Sequence, residues 1–183
     1  MEQLREHFKD FTSSYRGLKN FLLINGELSY QNMIEENLKK SFLLSCASYH
    51  ENRICHCIEN LLINKSRDEK IIHFAKNKGI SRQYHTYFDW DKSNANKFLG
   101  LFGTEFKELV TNDINSKTEL KEAIKAFLEI GNERNMMVHE NYLDYSLTKT
   151  FEEIEALNDK ALFFIRYLQF YFELKSKPPT MQN

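Results

Sequence analysis

The chain has 183 residues, with 42% hydrophobic and 28% charged side chains, which suits one globular domain with its own core and argues against disorder. Only six glycines and two prolines, the latter paired at Pro178-Pro179, leave too few turn residues for a β-sandwich or a Gly-rich nucleotide-binding fold. The formal net charge of -1 supplies no global field to gather nucleic acid, so any anion must be bound locally.

Apolar residues from Leu4 through Phe8, Phe11, Tyr15, Leu18 and Phe21 recur at three- and four-residue steps, which predicts a first helix ended by Asn25-Gly26. Ser29 is the expected N-cap of a long second helix that carries Met33, Leu38, Phe42, Cys46, Ile54, Ile58 and Leu61 to about residue 64. A short third helix is expected over 68–77, with Gly79 as its left-handed cap. The aromatic stretch 84–90 has no clean period. A fourth helix is expected over 96–110, although Gly100 and Gly103 lower its propensity. Ser116-x-x-Glu119 and Thr150-x-x-Glu153 have the pattern of capping boxes and predict the starts of a fifth and a last helix. The expected fold is all-α, a single-domain bundle of five to six helices with one long second helix, spanning 1–175 and followed by a short tail at 176–183.

Three cysteines (Cys46, Cys55, Cys57) and no recognisable signal peptide point to a reducing, cytoplasmic setting. The most apolar stretch, 161–174, is interrupted by Arg166, Gln169 and Glu173 and is too short for a bilayer, which takes about 20 apolar residues. Zinc is not expected at Cys46, His50, Cys55, His56 and Cys57. On a helix Cys46 and Cys57 share a face but stand about 16 Å apart, too far for one ion.

The sharpest polar constellation closes the fifth helix, in the run Gly131-Asn132-Glu133-Arg134-Asn135-Met136-Met137-Val138-His139-Glu140-Asn141-Tyr142. Arg134 offers a forked cation suited to phosphate, His139 an imidazole of the type that titrates near neutrality, and Asn135 an amide to orient a reacting group. These are the parts for metal-free phosphodiester cleavage, in which a 2'-hydroxyl loses a proton, a leaving oxygen gains one and negative charge is stabilised. At about 100° per residue Asn135 and His139 share a face, whereas Arg134 and His139 sit roughly 140° apart. Either the helix ends or bends near the motif, or a second copy completes the site across a two-fold axis. The bland alternative is an exposed helix end, with His139 favoured by the helix dipole and Arg134 paired with Glu133 or Glu140. Arg67 and His73 form a second, looser Arg/His pair, without an Asn after the Arg and among Asp68 and Glu69.

Arg134-Asn135-x-x-x-His139 at a helix end, in a small helical chain with a long second helix, resembles the HEPN superfamily of ribonucleases. Ser48-x-x-Glu51-x-x-Ile54 and Phe98-Leu99-Gly100-Leu101-Phe102-Gly103-x-x-Phe106 look most like its RiboL-PSP group. The resemblance implies a homodimeric, metal-independent endoribonuclease that needs no cofactor and leaves 2',3'-cyclic phosphate and 5'-hydroxyl ends. It further implies a role in defence or toxin-antitoxin systems, structured RNA such as tRNA as substrate, and a neighbouring antitoxin or regulatory subunit as partner. By position it makes Arg134, Asn135 and His139 the catalytic residues. The alternative is a non-catalytic HEPN module that binds RNA or protein.

Glu51 is a candidate supporting residue that orients His139 or pairs with Arg134, with a plain surface Glu as the alternative. Tyr142 stands one residue beyond the place of the modifiable Tyr in some HEPN toxins, so a packing role is the expectation. Lys65, Arg67, Lys70, Lys76, Lys78 and Arg82, followed by Tyr84, Tyr87, Phe88 and Trp90, form a candidate RNA surface in which cations meet phosphates and rings stack on bases. The competing reading makes them a solvated face with aromatics filling the core. Phe163, Phe164, Tyr167, Phe170, Tyr171 and Phe172 are expected in the core or a dimer interface.

Overall fold

The computed structural model describes residues 2–174, with side chains over 6–172; Leu4's side chain and the 175–183 segment, including Pro178 and Pro179, lie outside the described residues. The described chain is all-α, without a strand. Its helices are α1 (Glu2–Ile24), α2 (Leu28–Lys65), α3 (Glu69–Ala75), α4 (Tyr84–Tyr87), α5 (Asn96–Gly100), α6 (Thr104–Ser116), α7 (Thr118–His139) and α8 (Phe151–Leu174). Six of the eight have seven or more residues; the two short ones come from the stretch without clean periodicity and from a break in the expected fourth helix.

α1 ends as the Asn25-Gly26 pair predicts. Gly26 adopts φ 73°, its N–H donates to the Leu23 carbonyl, and the Glu27 N–H donates to that of Leu22. This crossed pair satisfies carbonyls left open at a helix end and needs a residue at ease in the left-handed region. α2 then starts one residue before Ser29, with Glu27 at its N-cap and no side-chain cap, so Ser29 is not the cap. The apolar stripe of α1 is buried only in part: Tyr15 is enclosed, whereas Phe21 near the hairpin tip is exposed.

Asp68 caps α3, its Oδ1 accepting from the Lys70 and Ile71 N–H groups. The helix runs on through one π-turn at Lys76–Ile80, so Gly79 is not a left-handed cap; that conformation falls to Arg82, at φ 59°. The expected fourth helix divides into α5 and α6 where Gly103 turns to φ 93°. Ser116 does not open the next helix: it is the last residue of α6, its Oγ donating to the Asp113 carbonyl, and extended Lys117 is the joint before α7. Asp113 makes that end a fixed corner by accepting from Tyr167 (2.6 Å) and Tyr171 (2.8 Å) on α8 and pairing with Lys117. Thr150 and Glu153 do form the reciprocal box at the start of α8, at 2.8 and 3.2 Å.

α7 packs most extensively against α8, and both pack on α2, which also carries α1. Phe127 of α7 is the hub, with Phe88, Trp90, His50 and Phe164 around its ring. A second cluster, Phe11, Tyr15, Phe42 and Phe151, ties α1 and α2 to the start of α8. Of the late aromatics, Phe164 and Phe172 are core, Phe163, Tyr167 and Tyr171 half-buried, and Phe170 exposed. Among the described residues no helix is long and apolar enough to cross a membrane.

Candidate functional site

α7 is held as a rigid element through ten buried residues, from Leu120 to Met137, and it stops at His139 because Glu140 turns extended. The helix thus ends just after the motif, and Arg134, Asn135 and His139 all stand on one continuous helix. Arg134 and Asn135 are half-buried one turn earlier, and His139 is exposed. The Arg134 guanidinium donates through Nη1 to Asn135 Oδ1 at 3.0 Å. Asn135 lies only about 40° from His139 around the helix, so that bond turns the guanidinium toward the histidine's face, while the backbone positions of Arg134 and His139 stay roughly 140° apart.

Glu51 of α2 stands across from the arginine, its Oε2 3.9 Å from Nη2. Both side chains are partly exposed, so the pair is weak and leaves the guanidinium able to exchange a carboxylate for a phosphate. Neither Glu133 nor Glu140 pairs with Arg134: Glu133 is buried and engaged with Tyr145 and Lys149 on another side of the helix. His139 has no hydrogen bond or ion pair among the described residues.

Behind the motif, the Trp90 ring lies directly on Gly131, where any Cβ would overlap it. Trp90 is fixed in turn by its indole N–H, which donates to the His85 carbonyl at 2.9 Å. Tyr84 stands beside Trp90, with ring centroids 5.4 Å apart. Burial pushes its phenol well above the ordinary range, with Glu51 and Cys55 adding to the shift and Arg134 opposing it. The aromatic stretch thus serves mainly as backing for α7: Tyr87 and Phe88 are core, and Tyr84 and Trp90 are half-buried. Lys65, Arg67, Lys70, Lys76, Lys78 and Arg82 are all exposed, with Lys76 salt-bridged to Glu59, so the cations form a rim without a row of free rings beside them. Arg67 and His73 are likewise exposed, flanking and on a helix with no buried residue.

Tyr142 is a packing residue here. Its ring lies under the Lys40 ammonium at 5.2 Å, and its carbonyl accepts from the same group at 2.9 Å. Lys39 and Lys40, both buried, were not singled out from the sequence, because a Lys on an apolar helix face normally reads as surface; each reaches a carbonyl of the 140–150 segment. The cysteines and His50 do not converge. Cys46 and Cys57 are buried, and His50 is committed to Asn158 at 3.0 Å with its ring stacked on Phe127. Among the described residues no cluster of three or more His, Cys, Asp or Glu side chains has the spacing of a metal centre.

A helical bundle with a long second helix, presenting Arg, Asn and His where a buried helix emerges, has the make-up of a HEPN-type domain. The model of the RiboL-PSP-HEPN family matches residues 8–173, and the chain belongs to that family. No curated protein and no solved structure matches it. HEPN domains bind RNA and often form dimers, and membership points to ribonuclease-type or RNA-binding function.

Proposed function

We propose that the protein is a metal-independent endoribonuclease whose site is Arg134, Asn135 and His139. The Arg134–Asn135 hydrogen bond is the observation that carries this reading, because it sets a cation beside the helix face from which the exposed imidazole projects. In the proposed reaction an imidazole accepts the proton of an RNA 2'-hydroxyl, the 2'-oxygen attacks the adjacent phosphorus, and the bond to the 5'-oxygen breaks as that oxygen receives a proton. The products are a 2',3'-cyclic phosphate and a 5'-hydroxyl. Arg134 stabilises the phosphorane charge, Asn135 holds the guanidinium, and Glu51 restrains it until phosphate arrives. Two proton transfers call for two imidazoles; a second copy of the chain, related by a two-fold axis, supplies the other, and exposed Phe170 on α8 offers apolar surface for such a contact.

A defence or toxin role, a structured RNA such as tRNA as target and a restraining partner belong to the same proposal. The cationic rim from Lys65 to Arg82 gives phosphate contacts that weaken strongly with salt. The test is cleavage of RNA by purified protein in EDTA, with mapping of product ends. Cyclic-phosphate ends that disappear in His139→Ala support the reading. Cleavage that persists in that variant overturns the mechanism, and RNA binding without cleavage makes the chain a non-catalytic module.

A further inference from the structure

The segment between α7 and α8 leaves the helix immediately after His139, yet it buries little of itself. Tyr145 and Leu147 are its only buried side chains, and Leu143 is 78% exposed. Its conformation therefore depends on a few polar anchors. On the α2 side, Lys39 donates to the Leu147 carbonyl at 2.6 Å and Lys40 to that of Tyr142 at 2.9 Å. On the α7 side two carboxylates take part, and Glu133 joins both anchor points: its Oε2 accepts from the Tyr145 hydroxyl at 2.6 Å, and its Oε1 lies 3.2 Å from Lys149 Nζ, which also meets Glu129 at 2.8 Å. Glu133 is buried and precedes Arg134, but it points away from the arginine into this junction.

We infer that Glu133 is a positioning residue, which acts through Tyr145 and Lys149 to latch the 140–150 segment and so fix the end of α7 on which His139 stands. This inference rests on the proposed nuclease reading for its consequence in catalysis, but the latch itself does not. An imidazole on the last residue of a helix has only one side of its backbone held by the helix; the other is held by whatever follows. Here that is a turn in which the Asp144 and Tyr145 N–H groups both donate to the Asn141 carbonyl, closed by Tyr145 on Glu133. Burial and the Glu133 hydrogen bond raise the Tyr145 phenol above its ordinary range, in keeping with a hydroxyl that donates to the carboxylate. Displacing a reacting group by about 1 Å costs on the order of 100-fold in rate, so a loosened latch shows in turnover rather than in RNA affinity.

The experiment compares Tyr145→Phe, Glu133→Gln and Glu133→Ala with the unaltered chain by Tm and by three further readouts. These are kcat and KM for RNA cleavage in EDTA, the NMR signal of the His139 Cε1–H, and hydrogen exchange at the Asp144 and Tyr145 amides. Tyr145→Phe is expected to lower kcat by about 10- to 100-fold with KM unchanged, to broaden or split the His139 signal and to speed exchange at both amides. Glu133→Gln, which keeps an acceptor for the hydroxyl, is expected to recover most of what Glu133→Ala loses. If Glu133→Ala does not fold, Tyr145→Phe decides alone. An unchanged His139 signal and unchanged exchange in Tyr145→Phe overturn the latch, as does a kcat loss that merely follows the fall in Tm. Should the unaltered chain cleave no RNA, the nuclease reading fails while the NMR and exchange readouts still judge the latch.

Discussion

Two Arg/His pairs occur in this chain, and the difference between them shows what spacing alone leaves out. Arg67 and His73 flank and ride on α3, a seven-residue helix with no buried residue, where both side chains face solvent. Arg134 and His139 close α7, which is buried along most of its length, backed by Trp90 on Gly131 and followed by a segment pinned at four side chains. A precisely held site calls for groups whose scaffold does not yield. Only the second pair has one, and only there does an Asn follow the Arg and engage it.

The comparison is broken most directly by substitution of the two histidines. His139→Ala is expected to reduce RNA cleavage by about 100- to 10,000-fold, measured as initial rates in EDTA, with His73→Ala matching the unaltered protein; a reversed result would move the site to α3. A third histidine sharpens the contrast through pH. His50 is 1% exposed, and burial, opposed only by its bond to Asn158, lowers its pKa from 6.5 to about 4. The folded state therefore binds this proton less well than the unfolded chain. The stability that the neutral ring contributes is complete above pH 6.5 and is lost as pH falls toward 4, up to roughly 3 kcal/mol. Denaturant unfolding at pH 7 and 4.5 should show that loss, and His50→Gln, which keeps a partner for Asn158, should lessen it. Loss of cleavage at a pH where the protein is still folded then reports the site rather than the core.

Gly131→Ala probes the backing of α7. The added methyl has no space beside the Trp90 ring, so about 1–3 kcal/mol of destabilisation is expected by thermal unfolding. A Gly-to-Ala change in an open helix interior has the opposite sign, so an unchanged or raised Tm would show that Trp90 does not brace the motif. The smallest effect belongs to Glu51→Gln. A half-exposed pair at 3.9 Å contributes under about 1 kcal/mol to stability, and the expected outcome is an unchanged Tm with a few-fold change in KM for RNA. A large fall in kcat would make Glu51 a participant in proton transfer rather than a restraint on Arg134.

Helices α1, α2, α7 and α8 were legible in the sequence because long apolar periods report a buried face, and the Thr150 box was legible because its two partners are three residues apart. The failures are of one kind. Ser29 and Ser116 have the composition of caps, but Ser29 lies inside α2, which starts at Leu28, and Ser116 is the last residue of α6, so neither stands at an N-cap. Gly79 resembles a terminal glycine, yet the chain runs through it in a π-turn. The expected fourth helix breaks at Gly103, whose residue type signals only a weak helix former and not the positive φ it adopts. In the site, Arg134, Asn135 and His139 could be named from their spacing and resemblance. The partnership of Gly131 with Trp90, the engagement of Glu133 and the use of Lys39 and Lys40 as interior donors depend on residues 12 to 108 positions apart.

The all-helical chain, the long second helix and the place of the Arg-Asn-His constellation are written in local spacing and side-chain chemistry. Tertiary packing settles that the aromatic stretch backs α7 instead of offering a row of free rings, that Arg134 faces Glu51, and that the segment after His139 meets Lys39, Lys40 and Glu133. Those outcomes depend on which helix faces meet, and facing partners far apart along the chain leave no periodic trace in it.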